Sequence, residues 1–318
     1  MEDSGYMSRA AFIMDNLMHK MGLHGKSFIP MLMGFGCNAP AIMATRTIES
    51  RSSRLITMLV IPFMSCSARL PIYVLFTGTF FPNHAATMMI LLYITGILVA
   101  AISAKLLRIV KFGEDETPFV MELPPYRMPT ALAVLKHMWE KCVQYLRKIG
   151  TVILGASVII WVLSYFPRPM IEETTETGET ILVEAPAGEV DCENSYLGKF
   201  GKIIEPVMRP LGFDWKASVA VVASLPAKEI AVSTLGVLYG NIDEDSLGEA
   251  LIKSGSYSPA VALAMMVFML LCFPCLATIA AIYGESGKKR WAAFTIIYNT
   301  LVAWILAFIA FKVGNVFL

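Results

Sequence analysis

Four stretches of the chain are long and apolar enough to cross a lipid bilayer, and no other feature restricts its fold as strongly. A helical span needs about 20 mostly apolar residues to cross a hydrocarbon core of about 30 Å. The four stretches are residues 54–81, 85–110, 258–283 and 289–316. With 56% hydrophobic and 16% charged residues among 318, the chain is too apolar for a soluble domain of this length. The sequence therefore predicts an all-α, polytopic membrane protein.

Two further apolar segments contain helix-breaking residues. Residues 27–48 include two prolines, two glycines and an asparagine, and residues 215–240 carry the sequence Pro-Ala-Lys-Glu near their middle. Proline removes a backbone donor and interrupts a helix. Non-helical backbone at membrane depth is tolerated only where protein or a water-filled cavity surrounds it. Both segments are therefore predicted to be re-entrant hairpins that line something polar.

The distribution of lysine and arginine predicts the orientation, because these residues concentrate in cytoplasmic loops. Basic residues flank the 27–48 hairpin on both sides, which places both of its ends in the cytoplasm. A basic amphipathic helix then stays inside, residues 149–166 cross outward, and the acidic loop 167–198 is external. Because the Lys-Lys-Arg cluster at 288–290 is also cytoplasmic, both ends of the 215–240 hairpin must lie outside.

A hairpin followed by two spans thus occurs twice, with opposite orientation. We predict a first gate repeat over 1–130, which begins with an amphipathic helix, and a second gate repeat over 201–318. Residues 131–200 link them through an amphipathic helix, the single crossing at 149–166 and the external loop. Such inverted repeats are typical of secondary transporters, whose substrate sites lie near the bilayer midplane at discontinuous helices.

The first span of each repeat is interrupted beside a cysteine. Residues 61–71 read IPFMSCSARLP, and residues 271–280 read LCFPCLATIA. A proline frees a backbone carbonyl, and an adjacent thiol adds a soft donor, which together suit a borderline divalent metal. The first hairpin supplies a third thiol. The predicted donors along a metal path are Cys37, Asn38, Met64, Ser65, Cys66, Ser67, Cys275 and Thr278.

Each thiol has a structural alternative, because a buried free cysteine often packs as a small hydrophobic residue. The metal-path hypothesis depends on Cys37, Cys66 and Cys275 recurring beside helix breaks. Cys272 forms a Cys-x-x-Cys pattern with Cys275, but a proline-broken membrane helix is the wrong setting for a redox or zinc pair. Cys272 is therefore left out of the predicted path.

Ionisable residues and prolines near the breaks are the candidate gate or coupling residues. Lys228 and Glu229 lie in a membrane hairpin, where ionisable groups are costly unless paired or hydrated. The alternatives for them are a structural clamp between the two or a position at headgroup level. Glu122, in PFVMELPP, is a gate or helix-cap carboxylate or else an ordinary interfacial charge. Pro40 and Pro274 complete this set.

Five motifs in order resemble the ferrous iron transport protein B family, FeoB. They are GFGCNAPA at 34–41, PFMSCSARL at 62–70, TPFVMELPPYRMP at 117–129, AKEI at 227–230 and FPCLAT at 273–278. The resemblance covers essentially the whole chain. It implies a multi-pass permease that imports ferrous iron across a bacterial cytoplasmic membrane through paired gate motifs, with Fe²⁺ as the substrate.

By the same resemblance, Cys37, Cys66 and Cys275 match the cysteines proposed to line the family's iron path, and Glu122 matches the glutamate of its MELP motif. The family also carries an N-terminal GTPase domain, where GTP and Mg²⁺ bind, and upstream membrane helices, which this chain lacks. The first residues accordingly read like the inside of a longer protein. Those segments, the lipid bilayer, a small cytoplasmic accessory protein and a second copy of the chain are the expected partners.

Two other classes of function remain open from the residues. A nucleoside or other small-solute carrier could share paired re-entrant hairpins, but its gates would need aromatic stacking and several Asn, Gln or Glu side chains, whereas these offer mainly Cys, Ser and Pro. A membrane enzyme or redox protein would need converging histidines or carboxylates, which the sequence does not offer. The net charge of +1 gives no field that would attract nucleic acid.

Overall fold

A computed structural model describes residues 6–113, 130–166, 170–174, 180–184, 195–240 and 244–317. The 117–129 motif with Glu122 lies outside the described residues. The α-helices are α1 (Tyr6–Lys20), α2 (Phe28–Gly34), α3 (Asn38–Ala44), α4 (Arg51–Val60), α5 (Leu70–Phe80), α6 (Ala85–Leu107), α7 (Ala131–Tyr165), α8 (Tyr196–Met208), α9 (Trp215–Ala223), α10 (Ile230–Leu238), α11 (Glu244–Lys253), α12 (Pro259–Leu271), α13 (Leu276–Ser286) and α14 (Lys289–Phe317).

Short turns of tighter or wider helix connect several of these elements. They are Gly25–Ser27, Thr45–Thr47, Ile61–Phe63, Ser67–Arg69, Pro82–His84 and Arg209–Leu211, of 3₁₀ type, and the π-helical Arg108–Phe112. The described strands are β1 (Met170–Thr174) and β2 (Thr180–Glu184), which pair antiparallel with Met170 opposite Glu184. This small hairpin belongs to the predicted acidic loop, and the rest of the described structure is helical, as the all-α prediction requires.

Four helical stretches are long and apolar enough to cross a membrane, which confirms the polytopic prediction. The two continuous stretches, Pro82–Phe112 and Lys289–Val316, have only 17% and 22% of their apolar part buried. The two interrupted stretches, Arg51–Phe80 and Pro259–Ser286, have 78% buried. Because exposed apolar surface on a membrane helix faces lipid, the interrupted spans form the centre of the protein and the continuous spans its lipid-facing shell.

The predicted first hairpin consists of α2 and α3, which are separated by a short non-helical break that ends at Cys37. Its two ends lie together. The Lys26 ammonium donates to a Glu49 carboxylate oxygen at 2.6 Å. Thr57 of α4 donates to the Ser27 hydroxyl at 2.9 Å, which holds the start of the hairpin against α4, the first helix of the first interrupted span. The segment therefore turns back on itself instead of crossing.

The second hairpin consists of α9 and α10 and closes in the same way. The Lys216 ammonium donates to the Leu238 carbonyl at 3.2 Å, which joins the first turn of α9 to the last turn of α10. The Tyr239 hydroxyl contacts Asp214, the N-cap of α9, at 3.4 Å. Between the two helices, Pro226 cannot donate a backbone hydrogen bond, so the helix is interrupted there.

The two hairpins open toward opposite ends of the helical body. The first is bonded to α4 through Ser27 and Thr57. The second lies beside Tyr257, whose ring is 6.4 Å from that of Tyr239 and 5.6 Å from that of Phe76, near the end of α5. Since α4 and α5 form one interrupted span, its start and its end lie at opposite faces of the membrane. Which face is cytoplasmic stays a prediction, as do the boundaries 1–130, 131–200 and 201–318.

Two elements differ from the sequence prediction. The amphipathic helix before residue 149 and the linking span 149–166 are one continuous helix, α7, of 35 residues. A change from polar to apolar composition does not by itself break a helix, and at about 1.5 Å per residue α7 is about 50 Å long. The second is α8, which begins inside the predicted 167–198 loop because the Ser195 side chain caps it by accepting from the Gly198 amide at 3.0 Å. Thus α8 precedes the second hairpin as α1 precedes the first.

Candidate metal passage

The two interrupted spans break in the same way beside a cysteine. Cys66 has extended backbone angles, φ −77° and ψ 158°, and a new helical turn begins directly after it. Cys275 has φ −61° and ψ 157°, and α13 begins at the next residue. Pro62 and Pro274 lie in the two interruptions, where a missing backbone donor prevents the helix from continuing. The predicted breaks beside sulfur are therefore present in both spans.

Each hairpin apex is hydrogen-bonded to the residue that follows the break cysteine. The Gly36 carbonyl accepts from the Ser67 amide at 3.3 Å and from the Ser67 hydroxyl at 2.9 Å. In the other half, the Leu225 carbonyl accepts from the Leu276 amide at 3.0 Å. These matching bonds join the first hairpin to the first interrupted span and the second hairpin to the second.

The predicted donors differ in exposure. Cys37 is exposed, and Cys66 and Cys275 are partly exposed, so all three thiols are open to an ion that reaches the breaks. The thiol of Cys275 lies 3.1 Å from the hydroxyl of Thr278, which is buried. Asn38, directly after Cys37, is buried, and its side-chain oxygen has no hydrogen-bond partner. An oxygen in that condition is able to accept a cation without first giving up another contact.

The other predicted donors are occupied or packed. Ser67 is exposed but donates to the Gly36 carbonyl, and the Ser65 hydroxyl lies 3.5 Å from that of Tyr73. The Met64 side chain is buried in the core and packs on the helix backbone at Gly34, where an added Cβ would lie 3.1 Å from the Met64 Cβ. The base of the Met64 side chain therefore lies in a close contact between the first hairpin and the first interrupted span.

The thiols do not form a preassembled metal cluster. Within the described ranges, no group of three or more His, Cys, Asp or Glu side chains is close enough to hold a metal ion. The described cysteines, which include Cys37, Cys66 and Cys275, are also not joined by disulfides. A metal site built from these thiols would have to form through movement of the hairpins or be used one ligand at a time.

Arg69 donates hydrogen bonds to backbone carbonyls at the first break. Its side chain is 1% exposed and donates to the Pro62 carbonyl at 3.2 Å and to the Met64 carbonyl at 3.0 Å. These two carbonyls, which the sequence analysis expected the break to free for a metal, therefore already accept hydrogen bonds from the protein. Cys66 and, from the second interrupted span, Cys272 and Cys275 lie near the Arg69 guanidinium. The two breaks therefore pack around one buried arginine.

Lys228 and Glu229 do not form the clamp that was one of the sequence alternatives. Lys228 is 3% exposed, whereas Glu229 is exposed, because adjacent residues in the non-helical break point in different directions. The Lys228 ammonium instead donates to the Cys272 thiol at 3.1 Å and to the Ser224 hydroxyl at 3.4 Å. Cys272, which the sequence analysis left out, is therefore in direct contact with a candidate gate residue.

Two family models match the chain. A family model described as "Gate: Nucleoside recognition" matches residues 1–80 and 146–289, and one described as "Ferrous iron transport protein B C terminus" matches residues 89–141. A Fe(2+) transport protein A/Fe(2+) transporter FeoB fusion protein of Porphyromonas gingivalis is 51% identical over 100% of this chain and 41% of its own length.

The Fe(2+) transporter FeoB of Campylobacter jejuni is 43% identical over 100% of this chain and 51% of its own length. That of Helicobacter pylori is 41% identical over 98% of this chain and 52% of its own length. No solved structure matches the chain. The chain belongs to the FeoB family. The resemblance seen in the five motifs is thereby confirmed, and the chain spans about half the length, or less, of these relatives.

FeoB proteins are inner-membrane transporters, and the four apolar helices of this FeoB chain agree with the predicted multi-pass location. Within the chain, Pro40 lines an open cavity of about 570 Å³ between the first hairpin and α7. Met33, Met43, His137 and Cys142 also line it. Thioether, imidazole and thiol groups therefore lie at the mouth of the first hairpin, a feature that the sequence did not show because α7 is distant in the chain.

An ion-pair cluster joins the two halves of this FeoB chain at the face where the first hairpin opens. Glu285, at the end of α13, has a 4% exposed side chain and accepts from Arg46 at 2.5 and 2.8 Å. It also accepts from Arg54 of α4 at 2.9 Å. The hydrogen bond to Glu285 raises the pKa of the Arg46 guanidinium, because it stabilises the charged form. The cluster therefore holds the end of the second interrupted span against the first repeat.

Replacing Glu285→Gln is expected to destabilise the protein by about 1–3 kcal/mol, because two arginines lose a nearly buried carboxylate while the side-chain shape is kept. Thermal unfolding in detergent measures this change. Glu49→Gln serves as the control, since its pair with Lys26 is largely exposed and such pairs contribute little. Equal melting temperatures for the two variants would show that the Glu285 cluster does not hold the halves together.

Proposed function

We propose that this chain is the membrane permease part of a ferrous iron importer, and that Fe²⁺ crosses where the two hairpins meet the two interrupted spans. Relatives named Fe(2+) transporter match the chain over nearly its whole length, which supports ferrous iron as the substrate. The observation that carries the location is the pair of hydrogen bonds that tie each hairpin apex to the residue after Cys66 or Cys275.

In the proposed passage, Cys37, Cys66 and Cys275 supply soft ligands in turn. The Asn38 oxygen, which has no partner, and the Thr278 hydroxyl beside Cys275 supply hard ones. Fe²⁺ accepts both kinds of donor. A path must bind an ion weakly enough to release it, and a closed cage of four thiolates would instead retain zinc. The open spacing of the thiols suits a transient site of this kind.

Movement of the hairpins is the proposed gating step. Two half-membrane hairpins that open toward opposite faces are the parts that alternating access requires. Pro40 lies in the first turn of α3, directly after the first hairpin's break, and Pro274 lies in the break of the second interrupted span. Lys228 and Glu229 lie at the apex of the second hairpin. Glu122, which lies outside the described residues, is proposed from its motif as a further gate or coupling carboxylate. The ion-pair cluster at Glu285 would have to open or shift with the first hairpin.

The longer relatives suggest the partners of this permease part. We propose that an upstream GTP-binding domain, with its GTP and Mg²⁺, and further membrane helices act with the chain. The relative from Porphyromonas gingivalis is a fusion with Fe(2+) transport protein A, which supports a small accessory protein as another partner. A second copy of the chain is a further candidate, since α7 exposes a large apolar surface, including Leu135 and Trp161.

Uptake by the whole protein tests the substrate. Protein that contains this chain together with its upstream segments would be reconstituted in vesicles under anaerobic, reducing conditions and supplied with labelled Fe²⁺. We expect saturable iron accumulation that an excess of nucleoside does not reduce. Saturable uptake of labelled nucleoside without iron uptake would favour the small-solute carrier named by the gate family description instead.

A further inference from the structure

The ammonium group of Lys228 lies among side chains that bind cations. It is 3.1 Å from the Cys272 sulfur, 3.4 Å from the Ser224 hydroxyl oxygen and 4.1 Å from the centre of the Phe273 ring. The side chain is 3% exposed. Among the described residues, no carboxylate forms an ion pair with it.

This set of neighbours is unusual for a buried charge. A buried ammonium is ordinarily paired with a carboxylate, because its desolvation is otherwise not offset. Here a thiol, a hydroxyl and an aromatic face surround it. Sulfur and oxygen are donors that a borderline or soft metal ion accepts, and the ring face attracts any cation. The Lys228 ammonium therefore occupies a site whose neighbouring groups are suited to bind a cation.

The same place lies beside the proposed passage. Lys228 and Ser224 belong to the break of the second hairpin, and Cys272 and Phe273 belong to the break of the second interrupted span. Leu225, between them in the hairpin, is hydrogen-bonded to Leu276 in the span. Movement of the hairpin apex relative to the span would therefore carry the ammonium away from the Cys272 sulfur.

We propose that Lys228 is a tethered cation that occupies a binding site formed by Cys272, Ser224 and Phe273, and that a soft or borderline divalent metal ion takes its place when the ammonium withdraws. The exchange involves no electron transfer. When the metal binds the sulfur, the thiol proton passes to water and the metal–sulfur bond forms. That the displacing ion in transport is Fe²⁺ rests on the proposed function.

The arrangement makes the site accept one cation at a time. While the ammonium is in place, a divalent ion meets its repulsion at short range in a medium of low polarity. Lys228 would thus keep the resting site free of metal and would return to it after the ion leaves. Arg69, the other buried cation nearby, is bonded to backbone carbonyls and does not approach a sulfur at hydrogen-bond distance.

Equilibrium binding of Cd²⁺ to the purified, reduced, full-length protein tests this inference. Lys228→Leu removes the charge and adds no metal ligand, and we expect it to bind Cd²⁺ about tenfold more tightly than the unaltered protein, because the competing charge is gone. Lys228→Arg keeps the charge and should show no gain. Adding Cys272→Ser to Lys228→Leu should abolish the gain, and the metal–thiolate absorption of this site should disappear with it.

Two results would overturn the proposal. One is a folded Lys228→Leu variant without tighter binding, and the other is a gain that survives Cys272→Ser. Should Lys228→Leu not fold, Lys228→Ala gives a second test, since Cd²⁺ or ethylammonium should raise its melting temperature more than that of the unaltered protein. No such rise would also overturn it. Iron uptake by the unaltered protein is a separate measurement, so failure of the permease proposal would be seen independently.

Discussion

Vesicles that contain the full-length protein with Cys37→Ser, Cys66→Ser and Cys275→Ser are expected to take up Fe²⁺ at least about tenfold more slowly than vesicles with the unaltered protein. A serine hydroxyl has nearly the shape of a thiol but is a much weaker ligand for a borderline metal. All three thiols are exposed or partly exposed at the breaks, so the loss would act on the path itself. Initial rates of labelled iron uptake under anaerobic conditions measure the effect.

The control for this prediction is Cys192→Ser, which changes the cysteine of the predicted acidic loop and should leave uptake unchanged. The uptake rates of the three single variants show how much each thiol contributes. We expect Cys275→Ser to have a larger effect than Cys37→Ser, because Thr278 lies 3.1 Å from the Cys275 sulfur and provides a second ligand at the same point. Normal uptake by the folded triple variant would remove thiol ligation from the proposed mechanism.

Arg69→Met is expected to lower the free energy of unfolding by about 3–5 kcal/mol, because it leaves two buried carbonyl oxygens without a donor and removes a buried charge from its partners. The guanidinium makes three hydrogen bonds to the carbonyls of Pro62 and Met64. Those carbonyls belong to the first break, which lies on the proposed iron passage. Loss of their hydrogen bonds to Arg69 should therefore also slow iron uptake. Thermal unfolding in detergent and uptake in vesicles measure the two effects.

Two further variants make this prediction specific. Arg69→Lys keeps the charge, but a single ammonium cannot reproduce the planar fork that reaches both carbonyls, so partial destabilisation is expected. Arg51→Met is the matched control, because Arg51 is an exposed arginine of the same interrupted span. If Arg69→Met melted at the same temperature as Arg51→Met, the break would not depend on the guanidinium.

The interruptions of the spans could be predicted because their cause is local. Pro62 and Pro274 each remove a backbone donor, which favours a kink or break at their own positions whatever the rest of the fold does. The apolar length on either side indicates a membrane. The two hairpins could be predicted for the same reason, because helix-breaking residues lie within apolar segments. By contrast, α7 was predicted as two elements, since polar and apolar composition change near residue 149 and nothing in the sequence shows that the helix continues through that change.

The residues that surround the thiols could not be predicted, because their contacts join distant parts of the chain. Lys228 meets Cys272 across 44 residues, and Arg46 meets Glu285 across 239. Arg69 was visible in its motif as a membrane arginine, but that it binds the carbonyls beside its own break depends on the fold of that break. The available signal was that ionisable residues inside a membrane are costly, and it selected Lys228 and Glu229 from the sequence but not Arg69 or Glu285.

Membrane insertion, the interrupted helices, the thiols beside them and the FeoB family all follow from the order of residues, since apolar length, proline and short motifs act over neighbouring positions. Which thiols lie near Arg69, which carbonyls are already bonded and which cation faces Cys272 depend on how the hairpins pack against the spans. Packing in this core brings buried charges to partners far along the chain, and such pairings leave no periodic or local trace in the sequence.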